Sequence, residues 1–238
     1  ALLVGSSTEG IGTPPSRFNT AYLYRSDGTR SPLRYDKIHR VPFGEYIPWV
    51  DGSPWLKRLF LRYLSPYDHD YTLTPGRSTT VFETGGSGAA SVRLGTPICF
   101  EDTDGRLCRR MIFGNKGRKR AEVMANLTND AWFGPPQRPQ HLQIAVFRSV
   151  ENRVPTARSV NMGVSGFISA TGRIGPTRPW RGPDACGEGI VVHQVGICSK
   201  ETIFGGIGHA PIGVMATMTA GLTLLALVVR KKNWEGQG

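Results

Sequence analysis

Residues 210 to 229, APIGVMATMTAGLTLLALVV, form a run of 20 with no charge and with three threonines as the only polar side chains. As a helix it would extend about 30 Å at 1.5 Å per residue, the thickness of a bilayer's hydrocarbon core. Arg230, Lys231 and Lys232 follow at once, with Trp234 beyond. Such a basic flank holds a segment's end on the cytoplasmic side, and the aromatic ring suits the interface. A buried core helix is the other reading, but a core helix of this length ordinarily keeps a polar stripe, and none is visible here. The pattern predicts a transmembrane helix over 210–229 and a cytoplasmic tail over 230–238. It places residues 1–205 on the opposite face.

The charge balance fits that placement. Lys and Arg number 29 against 18 Asp and Glu, a net charge of +11. A basic chain attracts either nucleic acid or an anionic lipid surface. No zinc-finger spacing, aromatic RNA-binding motif or recognition helix is present, so nucleic acid is not expected as a partner and the membrane is. Hydrophobic content of 39% with 20% charged residues describes a folded chain rather than a disordered one. The sequence opens on ALLVGSSTEG, an apolar strand running into a Gly/Ser turn, with no initiating methionine and no basic leader. That start leads us to expect a piece of a longer protein.

Between these ends the chain alternates short apolar runs with Gly and Pro. Strands are predicted at Ala1–Val4, Thr20–Tyr24, Thr80–Glu83, Ser91–Leu94, Val123–Asn126, Thr156–Val160, Gly166–Ser169 and Gly189–Val192. Ser26-Asp27-Gly28 and Ala170-Thr171-Gly172-Arg173 read as hairpin tips. Helices are predicted from Thr103 to Phe113, opened by Thr103 and Asp104 as caps and closed by Gly114, and from Gln137 to Asn152, with Leu142, Ala145, Val146, Ser149 and Val150 on one side. Strands interleaved with helices imply an α/β fold. Pro176 to Gly189 reads as a loop. A further helix, Pro54 to Ser65, sets Trp55, Leu56, Leu59, Phe60, Tyr63 and Leu64 against Lys57, Arg58 and Arg62. That pattern suits either a helix lying on a membrane surface or an ordinary core-packing helix.

Of four cysteines none forms a CxxC pair, and no histidine stands at ligand spacing, so no zinc or other metal site is expected. Cys99 has a distinctive context. It ends the apolar stretch Ala90 to Ile98 and is followed by Phe100, Glu101, Asp102 and a helix start. A thiol at a strand-to-helix elbow is presented at the sheet edge, where backbone N–H groups converge to stabilise a thiolate or an oxyanion. Buried packing is the plainer reading of such a cysteine. Lys37, in a mostly apolar strand, precedes a Pro/Gly turn that holds Glu45. This spacing can place ammonium and carboxylate in one pocket, or leave both as surface partners. Cys186 and Cys198 bracket a Gly-rich strand and could pair in an oxidising compartment.

The stretches YDKIHRVPFGEYIP, PICFED, NLTNDAWFG and QHLQIAVFRSVENRVPTARSVNMGVSG, in that order, resemble the motifs of the carbon–nitrogen hydrolase (nitrilase) superfamily. VPFGEY and NDAWFG resemble its apolipoprotein N-acyltransferase branch. The resemblance implies an α/β fold of the αββα sandwich type and a Glu-Lys-Cys triad. It assigns Cys99 as nucleophile, Lys37 as the cation for the oxyanion, Glu45 as a supporting glutamate and Glu101 as the glutamate two residues past the nucleophile. Phe100 stands where this branch often carries a tyrosine, and Asn129 and Trp132 would line the acyl pocket. It implies ping-pong transfer of an acyl chain from a membrane phospholipid, through a cysteine thioester, to the N-terminal diacylglyceryl-cysteine of an apolipoprotein. No cofactor is needed. The enzyme would sit as a monomer in the bacterial inner membrane with its catalytic domain in the periplasm. The family's general-base glutamate lies before the lysine motif, and Glu9 does not match it, so this chain alone is expected to be inactive. A soluble-type amidase of the same superfamily and a non-catalytic membrane-tethered binding module are the other two readings.

Overall fold

The first strands of the chain form a meander. In the structure, a computed structural model describing residues 1–12, 16–50, 52–65, 69–85, 91–114, 117–179 and 189–235, β1 (Leu2–Glu9) pairs antiparallel with β2 (Arg17–Tyr24), from Leu2 opposite Tyr24 to Glu9 opposite Arg17. The Ser26-Asp27-Gly28 tip turns the chain into β3 (Arg30–Asp36), with Gly28 at φ 82° and Asp27 Oδ1 accepting from the Thr29 amide at 2.8 Å. Positive φ at the tip is what glycine permits without steric cost. β3 is the strand expected around Lys37, but it ends at Asp36, one residue before the lysine, and its run of arginines and a proline is less apolar than expected.

A second, six-stranded sheet has the order β4-β5-β6-β7-β8-β9. β4 (Val81–Glu83) and β5 (Arg93–Gly95) are antiparallel; β5, β6 (Val123–Asn129) and β7 (Thr156–Asn161) are parallel. β8 (Val164–Ile168) and β9 (Ile174–Pro179) close the sheet antiparallel, joined by the second expected tip, where Gly172 takes φ 84°. The strand expected at 189–192 does not form, and Ile190 and Val192 remain 91% and 86% exposed. β9 takes the edge beside β8 instead, beginning at Ile174 and running to Pro179 into the segment read as a loop. Its two prolines are tolerated because an edge strand need not donate on its outer side.

The sheets meet over a shared core of Ala21, Leu23 and Tyr35 from the small sheet and Phe82, Ile98 and Met111 from the large one and its helix. Filling such a site with one large apolar side chain contributes about 1.5–3 kcal/mol. The other face of the large sheet is covered by α2 (Gly105–Phe113) and α3 (Gln137–Asn152), with Cys108, Ile112, Phe113, Met124 and Val154 as the second cluster. Asp104 caps α2, its Oδ1 accepting from the amides of Arg106 at 2.9 Å and Leu107 at 3.1 Å, and Gly114 ends it at φ 62°. Residues 99–103, partly expected as helix, form a separate 3-10 turn. The result is an α/β fold with mixed sheets.

α3 has the expected bounds and only part of the expected inner face, Ala145 and Ser149. Its buried positions are His141, Ala145, Ser149 and Asn152, whereas Val150 is 40% exposed. The buried face follows the polar network beneath it rather than the most apolar stripe. α1 (Pro54–Tyr63) buries no residue, and Trp55, Leu59 and Tyr63 stay exposed, so it does not pack into the core. After α4 (Ile203–Ile207), α5 (Ala210–Glu235) leaves the body of the protein with its apolar side chains exposed. It is the one helix among the described residues long and apolar enough to cross a membrane, over Ala210–Leu227. Its threonines satisfy their own hydroxyls by donating one turn back, Thr217 to Gly213 O at 2.9 Å, Thr219 to Met215 O at 2.9 Å and Thr223 to Thr219 O at 2.8 Å.

Candidate active site

The polypeptide turns sharply where the large sheet ends and the 3-10 turn begins. Cys99 stands at that corner at φ 51°, a left-handed conformation that costs a non-glycine residue on the order of 1–3 kcal/mol unless its surroundings hold it. The holder is Glu101. Fully buried, its carboxylate accepts from the Ile98 amide at 2.8 Å, so the corner is clamped from inside. The same carboxylate accepts from the Ile38 amide at 2.6 Å, the His39 amide at 3.0 Å and the Tyr35 hydroxyl at 2.8 Å. Four donors, one from the corner itself and three from the end of β3 and the residues after it, thus converge on one side chain. Burial pushes this carboxyl above its usual range, while the Ile98 and His39 amides and the Tyr35 hydroxyl pull it back. Tyr35 keeps its proton far up the scale, first because it is buried and then because it faces Glu101.

That clamp fixes Lys37, the residue just past β3. Its backbone amide still bonds to Asn19 O at 2.8 Å on β2. Its side chain turns inward, only 2% exposed, and the ammonium sits 2.7 Å from both oxygens of Glu45. Glu45 is positioned by its own turn, with Oε2 accepting from the Val41 amide at 2.8 Å and its amide donating to Val41 O at 2.8 Å. Sequence spacing left open whether Lys37 and Glu45 are surface partners; the structure buries Lys37 and holds Glu45 half-buried against it. A charge pair removed from water in this way is held in one geometry and strands its partner if either member is lost.

The Cys99 sulfur lies 3.9 Å from the Asn129 carbonyl oxygen at the end of β6. Burial pushes the thiol above its ordinary value, and this outweighs the Lys37 charge and the backbone contacts of Asn129 and Phe100 that pull it down. The thiol is therefore protonated at neutral pH and needs a base to become a nucleophile. Asn129 comes to the site through its backbone. Its side-chain oxygen is committed elsewhere, accepting from the Ala131 amide at 3.1 Å and from Asn161 Nδ2 at 3.1 Å. Phe100 is half-buried and tilts against His39, with ring centres 5.5 Å apart. Trp132, on the turn after Asn129, is 69% exposed.

Behind the corner lies a network that sequence reasoning missed. His141 on α3 bridges Asp102 through Nε2 at 2.7 Å and Asp130 through Nδ1 at 2.7 Å. Arg158 on β7 reaches Asp102 Oδ2 at 2.9 Å and Asp130 Oδ2 at 3.4 Å. All four are buried. Burial alone would lower the His141 pKa, but its hydrogen bonds to the two carboxylates overcome that and raise it. With two carboxylates as partners both ring nitrogens donate, and the network balances two negative charges against two positive ones. It ties the Cys99 turn to the Asp130 turn. Each of the four residues sits inside a quoted motif, but contacts across 11 to 56 positions leave no local signal. No group of His, Cys, Asp or Glu among the described residues could hold a metal ion. Cys186 lies outside the described residues, and with it the Cys186–Cys198 pairing.

Comparison with known proteins places this geometry in a family. Residues 1–195 match the family described as carbon-nitrogen hydrolase. The chain is 31% identical over 205 residues to an apolipoprotein N-acyltransferase of Geobacter metallireducens, covering 86% of this chain and 35% of that protein. It is 32% identical over 220 residues to apolipoprotein N-acyltransferase 1 of Treponema denticola, covering 90% and 37%. It thus spans about a third of the length of these curated relatives. Among solved structures it resembles Saccharomyces cerevisiae Nit3, of branch 10 of the nitrilase superfamily, with a TM-score of 0.50 and 18% identity over 74% of this chain and 55% of that one. An amidase from Nesterenkonia sp. gives a TM-score of 0.50 at 16% identity, over 76% and 58%.

Proposed function

Because the chain belongs to the carbon-nitrogen hydrolase family, we propose that Cys99, Lys37 and Glu45 form the acyl-transfer site of an apolipoprotein N-acyltransferase. The observation that carries this reading is the buried Lys37 ammonium, paired with half-buried Glu45, whose positive charge acts on a thiol held at a strained corner. The names of the relatives and the exposed apolar helix α5 support it. An amidase would have no use for that helix or for the unpacked aromatic face of α1.

The Cys99 sulfur attacks the carbonyl carbon of a phospholipid acyl ester. A C–S bond forms as the ester C–O bond breaks, and the thiol proton leaves on the lysophospholipid hydroxyl. The diacylglyceryl-cysteine amine of the acceptor then attacks the thioester, forming an amide C–N bond as the C–S bond breaks, and the amine's proton returns to sulfur. The Lys37 ammonium stabilises the oxyanion in both steps, a contribution of roughly 10²–10³-fold in rate for one donor. Glu45 holds that ammonium in place. Glu101 acts through position, locking the Cys99 corner to the Lys37 strand. Phe100, the Asn129 turn and Trp132 line the path of the acyl chain. α5 anchors the domain in the inner membrane with its tail in the cytoplasm, the domain lies on the periplasmic side, and α1 rests on the lipid surface.

The test is intact mass after incubating the protein that contains this chain with phospholipid. A Cys99-dependent increase equal to one acyl group is expected, absent in Cys99→Ala. An adduct that persists in Cys99→Ala would sink the nucleophile assignment.

A further inference from the structure

A cavity of about 630 Å³ opens between α2 and the foot of α5. Neither Cys99 nor Lys37 lines it; Ile38 and His39, between it and the thiol corner, form its inner end. Its wall on α2 carries Arg106, Arg109 and Arg110, and its other wall ends at Gly208 and His209, one residue before the apolar span begins. The three arginines stand at i, i+3 and i+4, hence on one helix face, where like charges repel one another.

The pocket is built rather than incidental. Arg109 is committed to architecture: its Nε donates to Phe204 O at 3.0 Å and Gly205 O at 2.9 Å, and its terminal nitrogen to Gly206 O at 2.9 Å. Those bonds pin α4 to α2. Gly205 lies so close to the Phe113 ring that any side chain there would collide with it, and a Cβ at Gly208 would come within 3.1 Å of Arg109 Nε. Arg106 and Arg110, by contrast, are exposed and have no ion-pair partner among the described residues. The one carboxylate in the lining, Asp104, is already used. One oxygen caps α2 and the other accepts from His39 at 3.2 Å. Two uncommitted guanidinium groups therefore face a cavity at the level where α5 would leave the lipid tails.

We infer that this cavity binds the phosphate of an anionic glycerophospholipid headgroup, seated at the membrane interface beside α5. A guanidinium fork matches phosphate oxygens two at a time. The apolar span beginning at Ala210 gives the acyl chains a surface to follow. The inference rests on the reading of α5 as a membrane helix and not on the acyl-transfer chemistry.

Its test is native mass spectrometry of the detergent-solubilised protein with phosphatidylglycerol or phosphatidylcholine. Retention of phosphatidylglycerol over phosphatidylcholine is expected, falling on the order of tenfold in Arg106→Gln/Arg110→Gln, since each interfacial basic residue contributes measurably to anionic-lipid attraction. Arg106→Lys/Arg110→Lys should keep most of the preference. Equal retention in wild type and the Gln pair would overturn the assignment. Binding of inorganic phosphate with no preference between the two lipids would also overturn it, marking a soluble-anion site. A Cys99→Ala protein should bind lipid here as wild type does, which separates this result from failure of the acyl-transfer reading.

Discussion

At the residue scale, the arrangement turns on two buried cations with different duties. Lys37 is expected to act in the reaction. Lys37→Ala should lower turnover by about 10²–10³-fold, the usual loss for one oxyanion donor. Lys37→Arg should not restore it, because a guanidinium is wider and directs its protons differently. Acyl transfer measured beside a thermal melt distinguishes this loss from simple unfolding, since the substitution also strands Glu45. Near-normal turnover in Lys37→Ala would reduce the lysine to a structural role. His141 is expected to act in stability. Its pKa is raised by Asp102 and Asp130, so the protonated ring contributes fully below the ordinary value of about 6.5 and loses that contribution as pH climbs through the raised value. His141→Gln should therefore cost most near pH 6, about 3–5 kcal/mol for breaking a buried charged network, and less at pH 9. Melting curves of both proteins across that range check this, and a difference that does not change with pH would exclude the imidazolium.

At the scale of elements, the turn from β5 to α2 sets the thiol, and its two capping carboxylates divide the labour. Glu101 looks inward and holds the corner; Asp104 starts α2 and pairs with His39. Asp104→Ala removes the cap, with an expected cost of about 1 kcal/mol and a fall in melting temperature of roughly 2–4 °C for a chain of this size. Thermal unfolding in detergent reads it directly, and an unchanged midpoint would mean that the 3-10 turn alone nucleates α2. Asp104 itself was legible, since an Asp followed by a short apolar-periodic run is a helix-start signal. Glu101's anchoring duty was not. Three of its four donors come from residues 35 to 39, more than 60 positions earlier.

At the scale of the whole molecule, the described carboxylates nearest the chemistry are both committed. Lys37 and the Val41 amide occupy Glu45, and four donors occupy Glu101, so neither is placed to accept the thiol proton. Residues 1–238 assayed alone in detergent, with phospholipid and a diacylated peptide, are expected to give no multiple turnover. Sustained turnover would make Glu45 or Glu101 the general base and revise the reaction above.

What the sequence alone determined was local in origin. The Gly28 and Gly172 tips, the ends of α2 and α3 and the apolar span of α5 each follow from a few neighbouring residues, through positive φ, capping or unbroken hydrophobicity. The placing of Cys99 at an elbow was legible for the same reason. Only the tertiary structure decided which segment takes the sheet edge beside β8, where Ile174–Pro179 formed the strand expected at 189–192. It also decided that α3 buries a polar face, that α1 buries none, and that Asp102, Asp130, His141 and Arg158 form one network. These outcomes depend on partners tens of residues away. Desolvation and charge pairing act on distance in space, and periodicity along the chain carries no record of it.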